Sequence, residues 1–404
     1  MIQHTKLRIR RITAAFCTAA LAATLAACAV SGTPVAGEPD VRTLEVGRYP
    51  VDAHTYTETA GSASALVEGT RMAEAVVPSV EIDPSLIYGR GGTVIPDVDR
   101  ALDFVANVSK PVLENRKLVT GYAALGADKP DPAGQSRPDP KATAITTAVL
   151  RFPDAASATL AARELEDVDI AVSPDNRKLA STKYPDAYVH WRPTVPTIGA
   201  FLARKDFVIS LFIQRPTADA ADLTAWVDKT FAAALPVLDR FEPTPMNELD
   251  ALPVDTDRLL ARAVVADRGA QAPNANTFAV YGTRHMINNS DDEAARRRLV
   301  TETGADLVAL VEAGSVTRVR DQSAAETLMK GLIDDSAHYD AISAPNDVPT
   351  AKCLQLNSSG DSKKEYKYRC YVAYKRYLGI ASSDTEPDVR QKITAQYALL
   401  ANSL

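Results

Sequence analysis

The sequence of 404 residues carries 45 basic and 51 acidic side chains, and 46% of its residues are hydrophobic. The acidic balance argues against nucleic acid as a partner, and the hydrophobic content excludes an extended, charge-rich disordered chain. This length predicts about two domains, each able to bury a core.

The N-terminus has the three parts of an export signal. An apolar run at residues 12–27 is shorter than the roughly 20 residues that a membrane-spanning helix needs. The cations that precede it are Lys6, Arg8, Arg10 and Arg11. The run ends in Leu25-Ala26-Ala27-Cys28, which resembles the lipobox of bacterial lipoproteins. The resemblance predicts a signal peptide at 1–27 and a diacylglycerol thioether on Cys28; an ordinary cleaved signal with an incidental cysteine is the alternative.

The segment that begins at Cys28 has the composition of a tether. Residues 28–42 are small, include Gly and Pro, and show no periodicity, so we predict a flexible lipidated linker. Without the four signal cations the mature chain carries 41 basic and 51 acidic groups, a formal charge of −10. No later stretch approaches transmembrane length. We therefore expect a protein on the extracytoplasmic face of the cell membrane, held to the plasma membrane by lipid alone.

The two halves of the chain repeat each other in order. Arg151-Phe152-Pro153-Asp154 matches Arg318-Val319-Arg320-Asp321, and each is followed by an Ala-rich helical stretch. Further on, residues 203–208 match residues 373–378. The boundary is predicted at Glu242-Pro243-Thr244-Pro245, where two prolines interrupt the pattern. The two predicted domains are 43–241 and 246–404.

Local patterns in the first half predict strands with helices packed on them. Asp154 is placed to N-cap a helix from 155 to about 165, and Thr217 opens a helix whose apolar residues recur every fourth position. Lys205-Asp206 marks a turn between two strands. The proline-rich stretch 126–141 is expected to be exposed. The predicted strands are 143–152, 188–191, 198–204 and 207–214.

The second half repeats this order. Asp321 caps a predicted helix through residue 332, and a final helix has Pro387 in its first turn. The predicted strands are 306–311, 316–319, 353–356, 366–374 and 377–382. The fold class is therefore α+β, with two tandem, duplicated units, each a mostly antiparallel sheet with packed helices.

Two cysteines remain after Cys17 leaves with the signal and Cys28 is lipidated. Cys353 and Cys370 lie on neighbouring predicted strands, with turn residues 357–362 between them. Folding the chain back between these strands places the two cysteines opposite each other, and a disulfide is the simplest pairing in an exported protein. Two thiols without a nearby histidine do not complete a tetrahedral metal site.

Two segments carry a resemblance to a known family. Residues 71–78 with 81–84 resemble the first-domain hallmark of a two-domain family of secreted lipoproteins in mycobacteria, nocardiae and related actinobacteria. Residues 370–374 through 396–400 resemble that family's second domain. The family is classed as a domain of unknown function, so the resemblance implies neither an activity nor catalytic residues.

The sequence contains none of the motifs His-Glu-x-x-His, Gly-x-Ser-x-Gly or Gly-x4-Gly-Lys, each of which marks a catalytic or phosphate-binding site. His190, beside Trp191 in a predicted strand, is interpreted as a packed strand residue rather than a ligand or base. Ser290 with Glu293 predicts a capping box, so the acids at 291–293 are not interpreted as a metal site. We therefore predict no catalytic residue, no metal and no cofactor.

One basic and aromatic patch stands against the acidic background. Lysine, arginine and tyrosine alternate between residues 363 and 377, a composition that can bind anionic glycans, lipid headgroups or an acidic protein. The alternative is structural, because tyrosine favours strands and lysine on an edge strand opposes aggregation. The candidate binding residues are Lys367, Arg369, Tyr371, Lys375 and Tyr377.

These patterns favour a non-enzymatic binding or interaction protein of the cell envelope, with an envelope glycan, lipid or protein as partner and no nucleic acid. The alternative is an envelope enzyme of the hydrolase type whose site a single sequence does not reveal. A deep pocket with converging polar groups would favour a small ligand or a substrate. The fold class alone does not decide between them.

Overall fold

The computed structural model describes residues 39–403. The predicted signal peptide, Cys28 and most of the predicted tether lie outside the described residues. Within the described range, no helix is both long enough and apolar enough to cross a membrane.

The first half forms a seven-stranded antiparallel sheet in the order β1-β2-β3-β7-β6-β5-β4. Its strands are β1 (Tyr88–Ile95), β2 (Thr120–Ala127), β3 (Ala144–Arg151), β4 (Arg177–Leu179), β5 (Tyr188–Trp191), β6 (Thr197–Arg204) and β7 (Phe207–Gln214). Its helices are α1 (Ser64–Arg71), α2 (Ser79–Ile82), α3 (Val98–Ala101), α4 (Lys110–Asn115), α5 (Ala155–Ile170) and α6 (Ala220–Leu238). Helices α5 and α6 pack on opposite faces of this sheet.

The second half forms another seven-stranded antiparallel sheet, in the order β11-β12-β13-β14-β10-β9-β8. Its strands are β8 (Phe278–Gly282), β9 (Leu307–Val311), β10 (Gly314–Arg318), β11 (Tyr339–Ile342), β12 (Lys352–Leu356), β13 (Tyr368–Tyr374) and β14 (Tyr377–Ser383). Its helices are α7 (Thr283–Asn288), α8 (Glu293–Thr303), α9 (Gln322–Asp334) and α10 (Glu386–Asn402).

The two sheets have the same topology when β1–β7 are matched to β8–β14 in chain order. The register agrees as well, because Arg151 pairs with Phe207 in the first sheet and Arg318 pairs with Tyr377 in the second. These are the residues that the sequence repeat aligned. The predicted α+β class with two tandem duplicated units is thereby confirmed.

The helices that follow the third strand of each sheet begin at an aspartate, as predicted. The Asp154 carboxylate accepts a hydrogen bond from Ser157 N at 2.7 Å, and that of Asp321 accepts one from Ala324 N at 2.8 Å. Helix α6 begins at Ala220 rather than at Thr217. The reason is Asp219, which caps the helix by accepting hydrogen bonds from the backbone N–H groups of the second and third helical residues.

The predicted disulfide is confirmed. Cys353 on β12 lies directly opposite Cys370 on β13, and the two sulfur atoms are bonded. The turn between the strands is built from the predicted polar segment at 357–362. In this turn Asn357 accepts hydrogen bonds from the backbone and hydroxyl of Ser359.

The predicted capping box at α8 is wrong. Asp292 caps this helix instead, accepting a hydrogen bond from Ala295 N at 2.8 Å. Glu293 is fully buried, and its Oε2 accepts a hydrogen bond from Val80 N at 2.9 Å. The acid at this position therefore binds the first half of the chain, a role that local spacing does not indicate.

The linker between the halves is held by a buried ion pair. Arg151 Nη1 lies 2.6 Å from Glu68 Oε1, and both residues are at most 2% exposed. Thr244 donates to the same carboxylate through its backbone N–H at 3.0 Å and its hydroxyl at 2.9 Å. The predicted boundary segment is therefore fixed to the first half.

One hydrophobic core lies between the two halves and draws residues from both. Tyr122 from β2 and Tyr281 from β8 belong to this middle core and are at most 2% exposed. His285 connects them, since its ring stacks on Tyr281 at 3.6 Å and its Nδ1 lies 2.9 Å from the Tyr122 hydroxyl. From Val41 onward the chain clusters as one compact unit.

The segment before α1 packs on the second half of the chain, although the sequence groups it with the first domain from residue 43 onward. Leu44 belongs to the core of the second half, and Val51 and Tyr56 pack against that core. The Tyr49 hydroxyl donates a hydrogen bond to Asp388 Oδ1 on α10 at 2.5 Å. The N-terminal part of the predicted first domain therefore packs on the second domain.

Candidate functional site

A groove of about 490 Å³ lies on the α5 face of the first sheet, beside the part that α5 covers. Along strand β7, the surface of the sheet changes from a part covered by α5 to a part that lines the groove. Val208 is buried in the core beneath α5, whereas Ser210 and Phe212, on the same face of the strand, line the groove. Phe212 is 51% exposed, which is unusual for an aromatic residue near the middle of a sheet.

The floor and walls of the groove combine apolar and polar side chains. Leu125 on β2 and Thr146 on β3 contribute to the floor. One wall is the loop after α3, with Phe104 and Val105, and the other is the segment after α5, where Val172 is 60% exposed. Exposed apolar side chains around a concave surface are the expected features of a ligand site.

Three titratable side chains lie at one end of the groove. His190 Nδ1 on β5 lies 2.6 Å from Glu166 Oε2 on α5, and His190 Nε2 lies 3.6 Å from Asp169 Oδ2. Glu166 is 1% exposed, and its Oε1 has no hydrogen-bond partner among the described residues. Asp169 and His190 line the groove. A buried imidazole and carboxylate thus stand directly behind a more accessible carboxylate.

The charges of this cluster stabilise one another. Burial alone would lower the pKa of His190, but the hydrogen bond to Glu166 and the negative charges of Glu166 and Asp169 raise it above its ordinary value. Burial raises the pKa of Asp169, an effect that the charge of His190 opposes. With His190 protonated, one cation and two carboxylates give the cluster a net negative charge. Arg192, which also lines the groove, is paired with Asp175 at 2.8 Å.

A glycine on the neighbouring strand makes room for the imidazole ring. Gly199 on β6 lies directly opposite His190, and a Cβ atom at this position would lie 2.8 Å from His190 Cε1. Such a contact is shorter than real side chains tolerate. The glycine therefore keeps the ring flat against the sheet, where Nδ1 reaches α5.

The second half of the chain has a different set of residues at the same places in the fold. Counting from the matched caps and strand pairs, Ile333 stands where α5 has Glu166, and Leu354 stands where β5 has His190. Both line one small cavity, and both pack against the middle core. The fold therefore accepts two apolar residues at these positions, and the architecture does not require the Glu166–His190 pair.

Local sequence patterns do not reveal this site, because Glu166 and His190 are 24 residues apart and meet only through packing of α5 on the sheet. The sequence of α5 nevertheless contains a pattern that points to this site. The buried stripe formed by Ala158, Ala162 and Leu165 continues into Glu166, and Asp169 follows it one turn later. Acidic residues on the buried side of a helix need a partner, and His190 supplies it.

The structure does not bring the five predicted patch residues to one surface. Tyr371 is 1% exposed and belongs to the middle core, whereas Tyr377 is 6% exposed and belongs to the core on the opposite face of the second sheet. Lys375 occupies the β13–β14 turn, with a φ of 48°. Lys367 lies just before the other end of β13, and Arg369 with Tyr371 borders a separate cleft. Among the described residues, no group of three potential ligands is arranged to hold a metal ion.

The fold and the groove define a tandemly duplicated α+β protein with an amphipathic groove in its first half. Residues 54–254 match the family described as domain of unknown function (DUF7373) N-terminal. Residues 259–403 match its C-terminal counterpart. The chain therefore belongs to the DUF7373 family, a family with two domains and no assigned activity.

A solved structure with some similarity is the extracellular domain of PknH from Mycobacterium tuberculosis. It is 10% identical, and the similar region covers 43% of this chain and 95% of that chain with a TM-score of 0.28. A similarity at this level carries no argument about the fold or the function. The curated proteins contain no match to the chain.

Proposed function

We propose that this protein is a lipid-anchored, extracytoplasmic binding protein that holds a small amphipathic ligand in the groove of its first domain. The proposal includes lipidation at Cys28 and membership in a lipoprotein family of mycobacteria, nocardiae and related actinobacteria. The lipobox and the N-terminal charge pattern support the anchor. The paired cysteines of the second half are consistent with an oxidising compartment.

The observation that carries the binding function is the Glu166–His190 pair. A buried ionic pair costs desolvation energy, and an apolar pair of similar volume is often equally stable or more stable. The second half of this chain has such an apolar pair in Ile333 and Leu354. The polar pair lies at the end of a groove, and Asp169 lies between the pair and the groove. A polar group of a bound ligand can therefore interact with this charged cluster.

The groove surface indicates the chemistry of the ligand. An alkyl or aromatic part fits against Phe212, Leu125 and Phe104, because burying these exposed surfaces is favourable. The Asp169 side chain is 25% exposed and can accept a hydrogen bond from an ammonium or hydroxyl group. A carboxylate or phosphate at the same place would meet two carboxylates, so we expect anionic amphiphiles to bind poorly.

A displacement titration tests this proposal. The mature chain with Cys28→Ala needs no detergent and can be loaded with the apolar fluorophore N-phenyl-1-naphthylamine. Dodecylamine and dodecanol, below their micellar concentrations, should displace the fluorophore, and dodecanoate should require at least about tenfold more ligand. Phe212→Ser, which installs the residue found at the matching Ser382, should weaken binding about tenfold.

The matched control is Val108→Ser, which removes another exposed apolar side chain, 47% exposed, that does not line the groove. This variant should bind as the parent does. Equal displacement by all three amphiphiles, together with unchanged binding by Phe212→Ser, would contradict the proposal.

A hydrolytic function is the second candidate, and one observation favours it. A carboxylate that orients an imidazole by hydrogen bonding is the arrangement of a general base. However, His190 Nε2 lies 3.6 Å from the Asp169 carboxylate, and no hydroxyl group among the described residues forms a hydrogen bond with the imidazole, so the ring has no nucleophile to activate. We therefore expect no hydrolysis of p-nitrophenyl dodecanoate above the rate of the folded Glu166→Ile/His190→Leu variant. A clear difference between the two rates would establish the enzymatic function instead.

A further inference from the structure

The second domain has a cleft at the position that corresponds to the groove of the first domain. Its volume is about 650 Å³, and it lies on the face of the second sheet that carries α9. Strands β13 and β14 and the segment before α8 form its sides. The residues that distinguish the two sites lie at matched strand positions. Arg369 replaces Gly199, and Ser382 replaces Phe212.

Arg369 is an unpaired cation in this cleft. Its guanidinium group lies over the ring of Tyr339, 4.8 Å from the centroid. Among the described residues, its side chain makes no hydrogen bond and no ion pair with a carboxylate. A guanidinium group that is stacked on an aromatic ring keeps its N–H donors in a fixed plane, which suits a phosphate or carboxylate.

A second arginine reaches the same cleft from α8. Arg296 Nη2 lies 3.7 Å from Asp335 Oδ2, which is longer than a hydrogen bond. Its Nε is buried and has no partner among the described residues. The Arg296 side chain lines the cleft and is 19% exposed, so a bound oxyanion would give its guanidinium group the close hydrogen-bond acceptor that Asp335 does not provide.

The acidic residues of the cleft limit the charge of the ligand. Asp292, Glu312 and Glu365 each already accept a backbone hydrogen bond, from Ala295, Ala266 and Asp361 respectively. Asp291 and Asp335 add two further carboxylates to the lining. An extended polyanion would be repelled by these groups, whereas hydroxyl groups could donate hydrogen bonds to them. The ring of Tyr366, 42% exposed, adds a surface on which a sugar ring can pack.

We propose that this cleft is a second binding site, selective for a small hydroxylated ligand with one anionic group, such as a sugar phosphate or a sugar acid. Arg369 and Arg296 bind the anionic group, and the surrounding carboxylates and Tyr366 bind the hydroxylated part. The two duplicated domains have thus diverged into two sites of different chemistry. This inference does not depend on the ligand proposed for the first groove.

Isothermal titration of the mature Cys28→Ala chain tests the second site. Glucose 6-phosphate and glucuronate should bind, and glucose should bind at least about tenfold more weakly because it lacks the charged group. Inorganic phosphate should also bind more weakly than glucose 6-phosphate, because it lacks the hydroxylated ring. Arg369→Met should reduce the affinity for both sugar anions about tenfold or more.

The matched control removes an equal charge from the same hairpin. Lys375→Met lies at the β13–β14 turn, outside the cleft, and should leave the affinity unchanged. Phe212→Ser in the first groove should also leave it unchanged, which separates the two sites. Absence of binding by both sugar anions at about 10 mM, or an equal loss in Lys375→Met and Arg369→Met, would overturn the proposal.

Discussion

At the scale of single residues, the most informative comparison is between the two copies of one structural position. In the first copy Glu166 and His190 form a hydrogen bond at 2.6 Å, and in the second the apolar residues Ile333 and Leu354 line a small cavity. Because of this difference, mutation can test whether the Glu166–His190 pair serves binding or is required for the fold. It also provides a variant that the fold is expected to accept.

His190→Leu should be strongly destabilising, and addition of Glu166→Ile should reverse the loss. The single change removes the partner of a carboxylate that is 1% exposed, which should cost about 3–5 kcal/mol of the free energy of unfolding. The double variant recreates the apolar pair of the second half and should be within about 1 kcal/mol of the wild type. Urea-induced unfolding measures both values. A double variant as unstable as the single one would show that the pair is structural.

The His190 interaction should also make stability depend on pH. Because its pKa in the folded protein is raised above the ordinary value of 6.5, its stabilising contribution is complete below that pH. The contribution is lost as pH rises through the folded-state pKa. The free energy of unfolding of the wild type should therefore fall relative to the Glu166→Ile/His190→Leu variant as the pH rises above 6.5. A difference that stays constant over this range would contradict the assignment.

At the scale of helices and strands, features set by local contacts could be predicted from the sequence. Asp154 and Asp321 determine where helices start through hydrogen bonds to residues three positions later. The turn at Lys205 and its counterpart at Lys375 join adjacent strands, and both lysines have positive φ angles. These turns set the register of the strands that they join. The Cys353–Cys370 pairing was predictable from a different local feature, the polar turn at 357–362 between β12 and β13.

The burial and contacts of a side chain could not be predicted where they depend on how distant parts of the chain pack together. Alternation along β13 puts Arg369 and Tyr371 on the same side, but it does not reveal that Tyr371 is buried in the middle core while Arg369 borders a cleft. The same limit applies to Glu293, which looked like a cap and binds Val80 instead. The Glu166–His190 contact likewise depends on how α5 crosses the sheet. In each case the partner is distant in sequence.

Removal of the disulfide should destabilise the whole described unit. The bridge closes a loop with a sequence separation of 17, which corresponds to about 3 kcal/mol on the chain-entropy model. Because the middle core contains residues from both halves, we expect Cys353→Ala/Cys370→Ala to lower the midpoint of one cooperative transition. Calorimetry measures this directly. Two separate transitions, with only one shifted, would show that the halves unfold independently.

At the scale of the whole molecule, the proposed lipid anchor determines the compartment in which the two proposed sites meet their ligands. Cys28→Ala should move the protein from the membrane fraction to the soluble extracytoplasmic fraction, because a lipid is the only anchor that we propose. Fractionation after a high-salt wash, with mass spectrometry of the N-terminal peptide, provides the measurement. Retention of the variant in the membrane, or a wild-type peptide without diacylglycerol, would contradict the lipoprotein assignment.

The two domains of this unit share a core but have different surfaces at matched positions. The first has an amphipathic groove with carboxylates at one end, and the second has a cleft in which two arginines lie among five carboxylates. Duplication followed by divergence explains both the common topology and this difference. The account therefore depends on the claim that the groove of the first domain is a binding site and that its polar end is functional.

Photolabelling tests that claim most directly. A dodecylamine with a diazirine on its alkyl chain would be irradiated with the mature Cys28→Ala chain, and labelled peptides would be mapped by mass spectrometry. The account predicts labels in β7 around Phe212 and in the segment at 171–176, both competed by unlabelled dodecylamine. It also predicts several-fold less labelling in the folded Asp169→Asn variant, because this change removes the carboxylate that accepts the ammonium group. Labels outside the groove, or undiminished labelling of the folded Asp169→Asn variant, would contradict it.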